Sequence, residues 1–168
     1  VTGWGTGGTL AGVSRVLQKE MPGTKIIVSE PTEAPLFSDG RQQDRQSDGS
    51  AASTHLAWSP HPIQGWTPDF IPLVAQEAID GNRIHEVKTV SGAHGMEWAR
   101  ELASKEGIFT GVSGGSTFAT AMDVAAEAPE GSVILCMLPD TGERYLSTPL
   151  FGLIEAEMTD EERARAAE

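Results

Sequence analysis

Four glycines and three threonines fall within the first nine residues, Val1-Thr2-Gly3-Trp4-Gly5-Thr6-Gly7-Gly8-Thr9, directly before an apolar helical pattern. Consecutive glycines let backbone N–H groups converge on one point, threonine hydroxyls add donors, and a helix start adds partial positive charge. That combination suits an anion, and phosphate above others; a tight strand-to-helix turn without a ligand needs fewer glycines. Gly3-Trp4-Gly5-Thr6-Gly7-Gly8 also satisfies G-x-G-x-x-G, and Glu30 closes the next strand 22 residues after Gly8, so a dinucleotide-binding module stays open as an alternative. A Walker-type loop is excluded, because no Lys-Ser or Lys-Thr follows the glycines.

A second glycine-rich turn, Gly111-Val112-Ser113-Gly114-Gly115-Ser116, opens a later helix, where close packing explains the glycines as well as anion binding does. Other reactive side chains read as structural. Cys136 lies within an apolar run and is expected to be a buried, inert thiol. His55, His61, His85 and His94 form no i, i+4 pair and no ligand-spaced cluster, so no metal site is expected, and His61 is read as shaping a turn. The four lysines, Lys19, Lys25, Lys88 and Lys105, lack the apolar surroundings that would lower an amine's pKa. No catalytic base or nucleophile is assigned to this chain.

These residues must be positioned by alternating elements. Leu10, Val13, Val16 and Leu17 recur at helical spacing, and Lys25 to Ser29 reads as a buried strand ending at Glu30-Pro31. From Thr32 to about Pro72 no period holds, and residues 40–60 read as a polar, mobile insertion. A short helix over Leu73 to Ile79 and a strand over Ile84 to Val90 follow. Ser91 precedes a helix whose Met96, Ala99, Leu102 and Ala103 share a face, stopped by Gly107. The alanine-rich helix after Gly111 runs to Ala128, and Val133 to Leu138 reads as the clearest strand. The charged tail from Glu155 reads as a solvated helix. Strands alternating with helices predict an α/β fold, a mostly parallel sheet with helices on both faces. Residues 1–152 are expected to form the domain, with 153–168 as a charged tail.

The 168 residues of the chain supply one core and not two. Subtracting 24 acidic from 12 basic residues leaves a net charge of -12, which repels nucleic-acid phosphates and anionic lipid. The longest apolar run is far below the roughly 20 residues that span a bilayer. One cysteine gives no internal disulfide, so a reducing compartment, by default the cytoplasm, is expected.

Gly5-Thr6-Gly7-Gly8-Thr9 resembles the phosphate-binding loop of pyridoxal-phosphate enzymes of the β family. His61-Pro62-Ile63-Gln64-Gly65, Phe70-Ile71-Pro72, Glu106-Gly107-Ile108 with Gly111-Val112-Ser113-Gly114-Gly115, and Leu138-Pro139-Asp140-Thr141-Gly142-Glu143-Arg144-Tyr145-Leu146-Ser147-Thr148 resemble cysteine synthase. The blocks stand in that family's order from Val1 to about Gly152. The resemblance implies the larger part of a tryptophan-synthase-β-like (fold type II) enzyme with pyridoxal 5'-phosphate as cofactor. The implied reaction converts O-acetylserine and sulfide to cysteine and acetate, with a bound aminoacrylate between elimination and addition. Gly142 to Thr148 favour cysteine synthase over a cystathionine β-synthase or a serine/threonine dehydratase.

Carried over residue by residue, Gly5, Thr6, Gly7, Gly8 and Thr9 would hold the cofactor phosphate. Thr141 would place a hydroxyl on the ring nitrogen, which makes the ring a moderate electron sink. Gly65 would lie beside the cofactor and Trp66 beside the substrate cleft, while Glu143 and Arg144 would brace the Thr141 loop through backbone hydrogen bonds and an ion pair. Trp66-Thr67-Pro68-Asp69 departs from the small residues that many members carry, so the cleft wall is expected to be bulkier. The family's Schiff-base lysine matches nothing in this chain, which starts at Val1 and is therefore expected to be a fragment, inactive alone. A homodimer and a serine acetyltransferase partner are the family's expectation.

Overall fold

The computed structural model describes residues 1–155 and 157–167. Three parallel strands, β1 (Thr2–Gly3), β2 (Ile27–Pro31) and β3 (Glu86–Val90), lie side by side in that order. Thr2 pairs with Val28, and Val28 with Val87. Every residue of central β2 is buried, the pattern of a parallel strand covered on both faces. Its alternate side chains show the two coverings. Val28 joins a core with Trp4, Leu10, Leu36 and Ala75, whereas Ser29 Oγ lies 2.6 Å from Thr120 Oγ1 on the opposite side.

The first covering is built by α1 (Gly8–Glu20), the single turn α2 (Leu36–Asp39) and α3 (Leu73–Asp80). The second is built by α5 (Val112–Glu127), which reaches all three strands and packs on α4 (Gly92–Glu101). Glycines make that helix pair close: a Cβ on Gly115 would sit 2.7 Å from the Ala99 Cβ. Helix packing therefore accounts for the second glycine turn. Ser91 caps α4 by accepting the His94 N–H at 3.2 Å, and a π-turn over Leu102–Glu106 ends at Gly107, φ +67°. Helix α6 (Asp160–Ala166) is exposed and closed by a Thr159/Glu162 capping box, as a solvated charged helix should be. No described helix is long and apolar enough to cross a membrane.

The expected strand over Val133 to Leu138 is corrected. The segment belongs to no strand, because among the described residues it meets the sheet only through Val1, the residue before β1: the Val1 amino group donates to the Leu135 carbonyl at 2.7 Å, and Met137 N–H to the Val1 carbonyl at 3.1 Å. Val133 and Leu135 are 96% and 82% exposed, so an apolar run alone did not secure packing. The stretch within residues 40–60 is tied back to the chain before α3. Gln43 Nε2 donates to the Ser53 carbonyl, its Oε1 accepts the Ile71 N–H, and His55 N–H donates to the Asp69 carbonyl at 2.7 Å.

Candidate functional site

The glycine loop joins the end of β1 to α1. Ala11 is the first helical residue whose N–H finds a carbonyl, that of Gly7 at 2.8 Å. Among the described residues, the N–H groups of Gly5 through Leu10 have no protein acceptor. Six amides at one helix start thus remain free to bind an anion. Gly7 has φ +89° and ψ 0°, and a Cβ there would lie 2.5–2.7 Å from the Ala75 backbone and Cβ. A Cβ on Gly5 would collide with the Gly65 carbonyl oxygen. Gly8 differs, since its nearest neighbour, Thr6 Oγ1, would be 4.0 Å from a Cβ. Its missing side chain leaves room in front of the loop. Thr6 and Thr9 are exposed, so both hydroxyls can reach that space.

A cleft of about 240 Å3 opens over this loop, completed by Gly65, Trp66, Thr117, Met137 and Pro139. Among the described residues no ionisable side chain lines it, so an anion there meets amide dipoles and hydroxyls. Gly65, Trp66 and Pro139 also border a second cleft of about 330 Å3, together with Gln64, Ser113, Asp140 and Tyr145. Ser113 is buried in the first turn of α5. The Tyr145 hydroxyl donates to Asp140 Oδ2, and burial followed by that carboxylate pushes the phenol up to about 12. Asp140 Oδ1 is buried without a partner among the described residues.

The structure thus unites Gly5, Thr6, Gly7, Gly8, Thr9, Gly65 and Trp66 around one cleft. Thr141 lines neither cleft. It is exposed and bridges to Thr110, and its side chain beside Glu143 holds that carboxyl below its ordinary value. Among the described residues no ion pair joins Glu143 to Arg144. Ser113, Tyr145 and Asp140 are the polar groups that sequence reasoning left out of the site. The signal available for Ser113 was its place at the second glycine turn, which packing seemed to explain.

Glu30, the acidic residue of the dinucleotide pattern, is fully buried. Its Oε2 and Oε1 accept the N–H groups of Phe37 and Ser38, each at 2.9 Å. Burial pushes this carboxyl up despite those bonds. Both oxygens are thus committed inside the protein, behind the ring of Phe37, which stacks on Trp4 at 4.1 Å. That commitment removes the acidic residue on which the dinucleotide alternative rests.

None of the four lysines lines either cleft. Lys19 meets Glu20 at 2.9 Å and Lys105 meets Glu101 at 2.5 Å. Desolvation pulls the Lys88 amine down, but Glu86 and Glu127 outweigh it, leaving its pKa raised. Burial pushes the Cys136 thiol up to about 11. Near neutral pH iodoacetamide should therefore label Cys136 at least about 10-fold more slowly in the folded protein than in urea, as followed by mass spectrometry.

The family model described as pyridoxal-phosphate dependent enzyme matches residues 1–140. The chain is 43% identical over 151 residues to O-ureido-L-serine synthase of Streptomyces lavendulae, covering 90% of this chain and 40% of that protein. It is 36% identical over 151 residues to cysteine synthase of Staphylococcus aureus, covering 90% of this chain and 42% of the relative. A crystal structure of O-ureido-L-serine synthase superposes with a TM-score of 0.79 at 41% identity, over 99% of this chain and 46% of the other. The chain spans 40–46% of those proteins' length, the smaller share rather than the larger one expected.

Proposed function

Since the chain belongs to the pyridoxal-phosphate-dependent enzyme family, of fold type II, we propose that it forms the phosphate-binding side of an enzyme that replaces the acetate of O-acetylserine with sulfide, giving cysteine and acetate. The observation that carries this is the set of unpartnered amides from Gly5 to Leu10 beside a cleft with no ionisable lining. The cofactor fits those residues. A phosphate matches the amides and the Thr6 and Thr9 hydroxyls, and the open space at Gly8 admits it. When bound, pyridoxal phosphate supplies an electron sink that lets an amino acid lose its β-substituent.

This chain's residues then divide the work. Gly5 to Thr9 hold the phosphate, while Gly65 and Trp66 wall the space shared by the two clefts. The hydroxyl for the ring nitrogen is assigned to Ser113, which lines the second cleft, in place of Thr141, which does not. A hydroxyl donates a hydrogen bond there without the charge that would keep the nitrogen protonated, which suits elimination and addition at the β-carbon. Tyr145, raised to about 12, keeps its proton and its bond to Asp140 through neutral pH. The amine through which the family holds its cofactor is not among this chain's lysines.

A second reading follows from the relative at 43% identity and from Trp66 in the cleft wall: the same β-replacement with hydroxyurea, giving O-ureido-L-serine. The intact protein, supplied with pyridoxal phosphate and O-acetylserine, separates the two by mass spectrometry of the products. Cysteine formed with sulfide supports the first reading, and O-ureido-L-serine formed only with hydroxyurea supports the second. Bound cofactor without consumption of O-acetylserine overturns both. Ser113→Ala is expected to lower kcat about 10-fold while pyridoxal-phosphate affinity, set by the glycine loop, stays within about 3-fold.

A further inference from the structure

One strained peptide holds the cleft wall. Thr67 has φ +33° and is 1% exposed; a β-branched residue at positive φ persists only where its surroundings over-determine it. Three hydrogen bonds do so. Its N–H donates to the Trp4 carbonyl at 2.8 Å, and its carbonyl accepts from Trp58 Nε1 at 3.1 Å and from His61 Nε2 at 3.0 Å, in the tautomer that carries the proton there. The hydroxyl takes no part, since Thr67 Oγ1 is buried without a partner among the described residues. Thr67 is held by its backbone.

What the peptide joins gives it a role. Trp4 lies inside the glycine loop, and Trp66, the residue before Thr67, lines both clefts. The same segment meets the loop twice more: the Gly65 carbonyl fills the position of a Gly5 Cβ, and the Trp66 indole that of a Gly3 Cβ. Wall and loop are therefore docked at three successive residues. We infer that Thr67 is a positioning residue whose peptide clasps the Trp66 wall onto the phosphate loop, so that phosphate in the loop fixes the wall and the wall sets which nucleophile the cleft admits. This rests on the phosphate assignment proposed above. Linkage makes the coupling reciprocal: loosening the wall weakens phosphate binding by the same factor that phosphate stabilises the wall.

The test uses the intact protein and its Thr67→Pro, Thr67→Val and Trp58→Phe variants. Pyridoxal-phosphate affinity is read by absorbance titration, with inorganic phosphate as competitor, and selectivity as the ratio of kcat/KM for sulfide to that for benzyl mercaptan. Thr67→Pro removes the N–H that meets the Trp4 carbonyl and fixes φ at about −65°, so affinity should fall at least about 10-fold and selectivity for sulfide should fall by a similar factor. Thr67→Val keeps the peptide and loses only the unpartnered hydroxyl, so both should match the wild type. Trp58→Phe, which removes one bond to the Thr67 carbonyl, should move both in the direction of Thr67→Pro and keeps the test open if that variant does not fold. Wild-type affinity and selectivity in Thr67→Pro and Trp58→Phe overturn the clasp, as does a Thr67→Val variant as weak as Thr67→Pro. A wild-type protein that binds no pyridoxal phosphate overturns the proposed function instead.

Discussion

Gly7→Ala is expected to weaken pyridoxal-phosphate binding by more than about 100-fold, whereas Gly8→Ala leaves the fold intact. Gly7 adopts φ +89° at the start of α1, and an L-residue there costs about 1–2 kcal/mol before any contact is considered. Its Cβ would also lie 2.5 Å from the Ala75 N, closer than nonbonded atoms tolerate, so the loop or α3 must shift. Either shift turns the free amides of Gly5 to Leu10 away from their common point. Gly8 faces open space, and its side chain would meet only what the loop binds. Pyridoxal-phosphate titration alongside thermal melting separates the two effects. Gly7→Ala should lose both affinity and melting temperature, and Gly8→Ala affinity alone. Full affinity in both variants would remove the phosphate from this loop.

Glu30→Ala is expected to destabilise the protein by about 1–3 kcal/mol, because it leaves two partly buried amides, those of Phe37 and Ser38, without their carboxylate acceptor. The loss reaches the site through packing, since Phe37 stacks on Trp4 and Trp4 stands within the glycine loop. The pH dependence has a definite sign. Burial raises the Glu30 carboxyl above its ordinary 4.5 in the fold, so in that window the native state binds more protons than the unfolded chain. Its contribution is present below 4.5 and is lost as pH rises through the raised value. Urea unfolding of wild type and variant across that window should show this falling slope in the wild type only. A dinucleotide-binding Glu30 predicts otherwise: unchanged stability, with loss of nicotinamide-cofactor binding. That outcome would restore the alternative which the buried geometry removes.

The element pattern was legible wherever it depended on neighbours along the chain. Gly107, at φ +67°, ends the π-turn after α4 where the apolar period stops, and Ser91 caps α4 with its own hydroxyl. The run Val133 to Leu138 misled, because an apolar run reports a tendency to be buried and not the presence of a partner; here only Val1, the residue before β1, meets it among the described residues. Glu30 misled in a related way. Its spacing from the glycines fits a ribose contact, but the single turn of α2 folds back and takes both oxygens, a contact that no spacing rule encodes.

By itself, the sequence determined the glycine-rich turn into α1 and the parallel α/β alternation, because each follows from residue type and local backbone preference. The tertiary structure alone decided which hydroxyl lines a cleft: Ser113 and Thr141 stand 28 positions apart at equally suggestive turns, and of the two only Ser113, in the first turn of α5 where it packs against the sheet, borders the second cleft. It also decided that Thr67 takes a positive φ, since that conformation opposes the residue's own preference and is held by its N–H bond to the Trp4 carbonyl and by bonds from Trp58 and His61 to its own carbonyl. Local preference is written in the chain, whereas strain held against it comes from contacts that form only when distant segments meet.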